Sequence, residues 1–357
     1  MRSSNKPYSN RDPWIFSDKG IFWILLLSSA VVFVINILLS MAQNGLGFPL
    51  DDAWIHQTYA RSIATSGSWK YSVNDSSAGS TSPLWTLLLV PGFLFGSSSP
   101  YFWTFLISWF SYFGIVFVTT KGAKLILGLI MVFEWHLVWA SGSGMETVLF
   151  CLGVMLIFYL LLAGKKYFLV GFLVGLLVCV RPDGITLLGP VLLVLGGNIL
   201  KGNASSKALL WMILGLVVPL IGYGCHNYSL SGQILPNTFF AKSAEYRELL
   251  STSIIGRIFN LSTVLISGAG ILLLPGFLRS VYTAFKSKDL WKMSTILWIL
   301  GFLVMYAIRL PVVYQHGRYL MPVIPVFLFL GFLGTVEILA LIQPQKQFAY
   351  TTIIFAG

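Results

Sequence analysis

Long apolar stretches without charged residues recur along this chain and constrain its fold more than any other feature. The first covers residues 20–41, and others of similar length follow. A helix of about 20 apolar residues can cross a hydrocarbon layer of roughly 30 Å while satisfying its own backbone hydrogen bonds. The alternation of period two that a membrane β-barrel needs is absent from the sequence. The sequence therefore predicts an all-α, polytopic transmembrane helical bundle of about 10–11 spans.

Composition agrees with that class. The chain is 56% hydrophobic and 10% charged, with a mean hydropathy of +0.81, whereas soluble domains carry about 25% charged residues. Its net charge of +11 is spread over short clusters, as expected of loops held in the cytoplasm near anionic lipid headgroups. No nucleic-acid partner is therefore expected, whereas membrane lipids are expected partners. Cys151, Cys179 and Cys225 lie in apolar stretches and are interpreted as small buried hydrophobes.

The basic clusters predict the topology. The N-terminal tail, residues 1–19, is basic and is expected in the cytoplasm of a bacterial-type plasma membrane. The apolar piece 84–95 is short and contains Pro91, so it is expected to be an interfacial or re-entrant helix of a first outer loop. That loop covers 42–100, and a second large outer loop covers 229–258. The later spans are expected at 101–120, 122–140, 147–163, 167–180, 185–197, 208–228, 259–278, 290–308 and 320–342, in a single transmembrane domain, 1–357. Residues 348–357 resemble the start of a further span, which leaves open whether the natural chain continues beyond Gly357.

With this topology, the unusual polar motifs fall on one side of the membrane, the extracytoplasmic face. They are Asp51-Asp52-Ala53-Trp54-Ile55-His56, Ser143-Gly144-Met145-Glu146-Thr147, Arg181-Pro182-Asp183-Gly184, Leu235-Pro236-Asn237-Thr238-Phe239-Phe240-Ala241-Lys242 and His316-Gly317-Arg318-Tyr319. The loops on the other side offer mostly lysines. The sequence therefore predicts a site at the outer membrane surface.

The adjacent carboxylates Asp51 and Asp52 are the strongest single indication of chemistry. The chain has only 12 acidic residues, and an ionised group at a membrane edge loses hydration unless something stabilises it. A carboxylate can take the proton of an acceptor hydroxyl as that hydroxyl attacks a sugar, while basic groups or a metal stabilise a departing phosphate. Nucleotide sugars are not expected outside the cell, so the predicted donor is a sugar on polyprenyl phosphate. The acceptor, a cell-envelope glycan, a lipid or a protein, stays open.

These motifs resemble, in the same order, those of the GT-C superfamily of integral-membrane glycosyltransferases, and within it the mycobacterial arabinofuranosyltransferase-like branch. The matching elements extend from Asp51 through Gly79-Ser80-Thr81-Ser82-Pro83-Leu84-Trp85 to Arg318-Tyr319-Leu320-Met321-Pro322. The resemblance implies a GT-C fold and an inverting transferase whose catalytic base is Asp51 or Asp52, with Asp51 preferred. Relatives in that branch can carry a soluble C-terminal domain. Some other GT-C enzymes bind a divalent cation, Mg or Mn, in the corresponding loop, and Asp51 and Asp52 are the candidate ligands; whether they bind one is open.

The remaining candidates are residues that contact the donor phosphate or the substrate. They are Arg318, Lys242, Arg181, His316, Tyr319, Asp183, Glu146, Asn237 and His56. Structural alternatives compete with these roles: Asp52 as a helix cap, Glu146 as a charge at a helix start, and Arg181 and Asp183 as a turn closed by their own ion pair. Glu134 and His136 form a further candidate pair inside an apolar stretch.

Two other functions stay open. The first is a transporter or flippase of a lipid-linked sugar, which is expected to show two related halves and polar breaks within paired spans. The second is a structural assembly subunit, which would leave the carboxylate pair without a role.

Overall fold

The structure is a computed structural model that describes residues 17–72, 79–96, 99–164, 166–234 and 250–342, with the backbone alone for 121–124. These residues are almost entirely helical. The α-helices among them are α1 Asp18–Asn44, α2 Asp51–Ser66, α3 Pro83–Leu89, α4 Ser99–Val132, α5 Trp135–Gly142, α6 Thr147–Ala163, α7 Tyr167–Val180, α8 Leu188–Leu200, α9 Lys207–Ser231, α10 Ile254–Leu265, α11 Ala269–Ser287, α12 Leu290–Arg309 and α13 Ile324–Ile342. Short 3-10 segments connect some of them, at Val90–Leu94, Pro182–Leu187, Gln315–Gly317 and Met321–Val323.

Length and composition make this a membrane protein. Six helices of the described residues are long and apolar enough to cross a membrane, and up to eight spans result if each of two bent helix pairs counts as one. The shorter helices α6 and α7, at 17 and 14 residues, coincide with the predicted spans 147–163 and 167–180. The predicted helix at 84–95 is α3 with its 3-10 extension, and Trp85 in it is fully buried. The predicted all-α transmembrane bundle is confirmed.

Helix α4 contains two antiparallel arms. The Tyr112 hydroxyl donates to the Val132 carbonyl, although a straight helix would separate these residues by about 30 Å. A Cβ on Gly128 would likewise lie 2.8 Å from the Thr120 methyl group. The chain therefore reverses between Thr120 and Leu125, where the sequence predicted the loop between spans 101–120 and 122–140.

Two predicted straight spans are bent. The stretch 122–140 breaks before Glu134, which has an extended backbone and caps α5 by accepting the His136 N–H (3.4 Å), so the helices on either side meet at 53°. The stretch 259–278 breaks between α10 and α11, which meet at 108°. The break includes Gly268, whose φ of +56° is readily adopted only by glycine. Hydropathy averaged along the chain did not reveal either change of direction.

Glycines bring two helix pairs into close contact. On the α7–α9 contact, a Cβ on Gly171 would lie 1.9 Å from the Met212 carbonyl oxygen. On the α11–α13 contact, a Cβ on Gly276 would lie 2.0 Å from the carbonyl oxygen of Gly331. Such small residues allow backbones to approach closely and are the usual device of helix packing in membranes.

Candidate functional site

A small polar cavity lies at one end of the bundle, where five separate segments meet. Its volume is about 80 Å³. It is lined by Asp52, Ile55, His56, Gly79, Thr81, Met145, Glu146, Arg181, Arg318 and Tyr319. Six of these are residues that the sequence predicted for the site. Four of the five motifs expected to share one side of the membrane therefore converge on this cavity, and the fifth, at 235–242, lies outside the described residues.

Asp52 and Arg318 form the centre of the cavity. Arg318 Nη2 donates to Asp52 Oδ2 and to the Tyr319 hydroxyl (3.0 Å). The Arg318 side chain is 5% exposed and that of Asp52 is 21% exposed. The Nε and Nη1 atoms of Arg318 are buried and have no hydrogen-bond partner within the described part of the chain. This guanidinium therefore keeps donors that an anionic ligand can use, since planar arginine donors match phosphate oxygens.

Asp51 is placed differently from its neighbour. It is exposed, lies outside the cavity lining, and its Oδ1 accepts the Asp52 backbone N–H (2.9 Å). Helix α2 begins at Asp51 after Leu50, so Asp52 is not the helix cap that the sequence offered as its structural alternative. Consecutive residues of a helix point about 100° apart, and this phase turns Asp52 toward the cavity and Asp51 away. The geometry thus favours Asp52 over Asp51, the reverse of the sequence preference.

Arg181 is the second guanidinium of the cavity. It donates to Asp183 through Nε (3.1 Å) and Nη2 (2.9 Å), and Nη2 also donates to the Tyr306 hydroxyl (2.9 Å). Tyr306 in turn donates to Asp183 Oδ2 (2.6 Å). Burial by itself would lower the pKa of Arg181, but Asp183, Tyr306 and Glu146 outweigh it and hold that pKa well above its usual value. Arg181 therefore stays charged, and the predicted ion pair around Pro182 is present.

Glu146, directly before α6, and His56, in α2, both face the cavity. His56 Nε2 lies 3.8 Å from Glu146 Oε2, and His56 Nδ1 lies 3.2 Å from the hydroxyl oxygens of both Ser80 and Thr86. Glu146 precedes α6 without capping it through its side chain, and its buried Oε2 has no hydrogen-bond partner among the described residues. The cavity therefore holds two carboxylates, Asp52 and Glu146, opposite two guanidiniums.

Other predicted residues lie elsewhere. His316 is exposed, does not line the cavity, and packs against the rings of Trp139 (4.6 Å) and Trp135 (5.3 Å). Asp183 is not a lining residue but holds Arg181. Asn237 and Lys242 fall outside the described residues.

Sequence reasoning missed Tyr306 and the hydroxyls around His56. Tyr306 lies within the apolar helix α12, where a single tyrosine gives no signal of a buried partner. Ser80 belongs to a motif that the sequence did single out, but its pairing with His56 and Thr86 depends on how α2 and α3 cross.

The sequence left open whether Asp51 and Asp52 bind a divalent cation. Asp51 and Asp52 face different surroundings, and Asp52 is paired with Arg318. Within the described ranges, no group of three or more His, Cys, Asp or Glu residues could hold a metal ion.

Comparisons with known proteins identify the fold. No protein-family model matches the sequence, and no curated protein is similar enough to match. Two crystal structures of ArnT from Cupriavidus metallidurans resemble the chain. The one bound to undecaprenyl phosphate has a TM-score of 0.60 at 15% identity and covers 95% of this chain and 64% of that one. The apo structure has a TM-score of 0.59 at 14% identity, with 95% and 63% covered.

The chain thus spans less than two thirds of the ArnT chain. Identities this low show the fold alone, and the chain shares its all-helical membrane fold with ArnT. The narrower resemblance to the arabinofuranosyltransferase-like branch has no support from these neighbours.

Proposed function

We propose that this protein is a membrane glycosyltransferase that moves a sugar from a polyprenyl-phosphate donor to an acceptor hydroxyl. The observation that carries the proposal is the cavity in which Asp52 and Glu146 face Arg318 and Arg181. A base and a cationic phosphate site are the two components that such a transfer needs. The fold shared with ArnT, which binds undecaprenyl phosphate in one crystal structure, supports a donor of the same lipid class.

The proposed reaction is a single displacement. The acceptor oxygen attacks the anomeric carbon and forms the new glycosidic bond as the carbon–oxygen bond to phosphate breaks. The acceptor proton goes to the Asp52 carboxylate, and the electron pair of the broken bond leaves with polyprenyl phosphate. A single displacement inverts the anomeric centre. Arg318 stabilises the charge on the departing phosphate, and Arg181, fixed by Asp183, adds a second positive charge.

The basic residues support an extracytoplasmic location for the cavity. Lys201 and Lys288 line a common cavity of about 420 Å³ near Gly164, at the opposite end of the bundle from Asp52. A neighbouring cavity of about 430 Å³ is lined by Lys166 and Lys207. Lysines collected at one end favour that end as cytoplasmic. The proposed site is then on the outer face, with the N-terminus inside.

The proposal is tested by sugar transfer from a panel of radiolabelled polyprenyl-phosphate sugars, arabinofuranose among them, to a membrane extract. Purified protein in detergent is expected to form a new glycosidic bond with at least one donor. Transfer from the arabinofuranose donor would support the narrower branch. A Glu337→Gln variant, altered about 20 Å along α13 from the cavity end, is expected to retain transfer and serves as the control for preparation losses. A protein that binds polyprenyl phosphate but transfers none of the sugars would contradict the proposal.

A transporter or flippase is the second candidate. The breaks at Glu134 and between α10 and α11 favour it, because interrupted spans with polar groups are common at carrier binding sites. The charged groups, however, gather in one cavity at an end of the bundle. A carrier would move a labelled lipid-linked sugar between the leaflets of a liposome without forming a bond, and this outcome separates the two candidates.

A further inference from the structure

A buried acid–histidine pair lies at the break between α4 and α5, outside the cavity. His136 Nδ1 is 2.5 Å from Glu134 Oε1, and both side chains are 2% exposed. The proposed transfer does not use either residue. Because ionisable groups inside an apolar segment are expensive to bury, such a pair calls for a role.

The first connection from this pair runs through the break between α10 and α11. His136 Nε2 lies 3.4 Å from Ser267 Oγ, and the Ser267 hydroxyl donates to the Val264 carbonyl (2.9 Å). The Val264 side chain packs directly on Gly317, where an added Cβ would lie 2.6 Å from Val264 Cγ2. His136 is thus joined through α10 to the residue that precedes Arg318.

The second connection runs through aromatic rings. Trp135 stacks on His136 with the ring centroids 3.6 Å apart. His316 packs edge-on against Trp135 (5.3 Å) and Trp139 (4.6 Å). The pair is therefore connected to the chain before Arg318 by two routes, through Val264 and through the tryptophan rings.

The segment between these two contacts has an unusual backbone. Gln315, His316 and Gly317 have successive φ values of +56°, +57° and +65°. Residues other than glycine disfavour this left-handed conformation, and it persists only where the surroundings hold it. Arg318 follows directly, so the direction in which it enters the cavity depends on this turn.

We propose that Glu134, His136 and Ser267 are positioning residues that hold the turn 315–317 and thereby keep Arg318 aimed into the cavity. The inference rests on the proposed function, in which Arg318 binds the donor phosphate. It assigns a task to a pair that does not touch the substrate. It also explains why both helix breaks lie beside the same turn.

The test measures the reactivity of Arg318 with phenylglyoxal, read by mass spectrometry on the folded protein. Ser267→Ala removes the contact with His136 and is expected to raise the modification rate of Arg318 about fivefold, as for the loss of one hydrogen bond. Arg181 lines the same cavity but is held by Asp183 and Tyr306, so its rate should stay constant. Ser262→Ala is the matched control, because Ser262 also donates to a carbonyl of α10 (2.7 Å) but lies away from His136.

Glu134→Gln provides a second variant that keeps the size of the side chain and weakens the pair. It is expected to raise the reactivity of Arg318 in the same selective way. Equal increases at Arg318 and Arg181 would show general loosening and overturn the inference, as would no change at Arg318 in both variants. The readout requires neither donor nor transfer, so a failure of the proposed function would be seen separately in the transfer assay.

Discussion

Replacement of Arg318 by lysine tests how the cavity binds phosphate. Lysine keeps the positive charge but loses the planar set of donors. In the structure, Arg318 Nη2 is taken by Asp52 and Tyr319, while the buried Nε and Nη1 have no hydrogen-bond partner among the described residues. We expect these two atoms to donate hydrogen bonds to the donor phosphate.

The magnitude follows from those two atoms. A hydrogen bond to a charged group contributes about 1.5–3 kcal/mol, and lysine can replace part of what is lost. A net loss of about 1.5–3 kcal/mol corresponds to a Kd for polyprenyl phosphate that is roughly 10 to 150 times weaker. The Asp52 carboxylate keeps a cationic partner in this variant, so the fold should persist.

The assay is equilibrium binding of radiolabelled undecaprenyl phosphate to the purified protein in detergent. Arg309→Lys is the matched control, because Arg309 is exposed at the end of α12 and outside the cavity lining, and its Kd should equal that of the wild type. If Arg318→Lys bound the lipid as tightly as the wild type while eluting as folded protein, the phosphate role of Arg318 would be refuted.

Three further changes probe the surroundings of the site. Tyr306→Phe removes the hydroxyl between Arg181 and Asp183 and should lower the free energy of unfolding by about 1–3 kcal/mol. Thermal melting measures this loss against Tyr228→Phe, a control at an exposed tyrosine. Equal melting temperatures for the two variants would contradict the buried contact. Gly317→Ala adds a Cβ 2.6 Å from Val264 at φ +65° and should weaken polyprenyl-phosphate binding. Gly45→Ala is its control, because Gly45 has φ +75° with nothing within 4 Å, and it should only lower stability, by about 1–3 kcal/mol. Similar binding by both variants would count against the role of the turn. Glu337→Gln removes the ion-pair partner of Lys292 (2.7 Å) and Arg279 (3.6 Å). It should lower the free energy of unfolding by about 1 kcal/mol and leave polyprenyl-phosphate binding unchanged. A change in the Kd for polyprenyl phosphate would contradict the location of the site.

The sequence could predict which residues belong to the site better than how they meet. Each polar motif follows or precedes an apolar stretch, so each could be assigned to one end of a bundle. The contact between Asp52 and Arg318 joins residues 266 positions apart, and no spacing rule predicts it. The choice between Asp51 and Asp52 depends on where α2 begins, and helix boundaries are the least certain part of a sequence prediction.

The directions of the helices could not be predicted from the sequence either. The apolar stretches 122–140 and 259–278 have the hydropathy of single spans, yet both are bent, at Glu134 and near Gly268. The Glu134–His136 pair could be recognised as unusual because charged residues are rare in apolar segments. The contact of this pair with Ser267 could not be predicted, because Ser267 lies 131 positions from His136 in the sequence and serine is common in membrane helices.

The most direct test of the central claim compares sugar transfer by Asp52→Asn and Asp51→Asn. The two substitutions make the same chemical change at adjacent positions, one inside the cavity and one exposed. Loss of a catalytic base lowers a rate by about 10²–10⁴-fold. We expect that loss for Asp52→Asn, and near wild-type transfer for Asp51→Asn. Transfer lost in Asp51→Asn and retained in Asp52→Asn, or retained in both, would contradict the account.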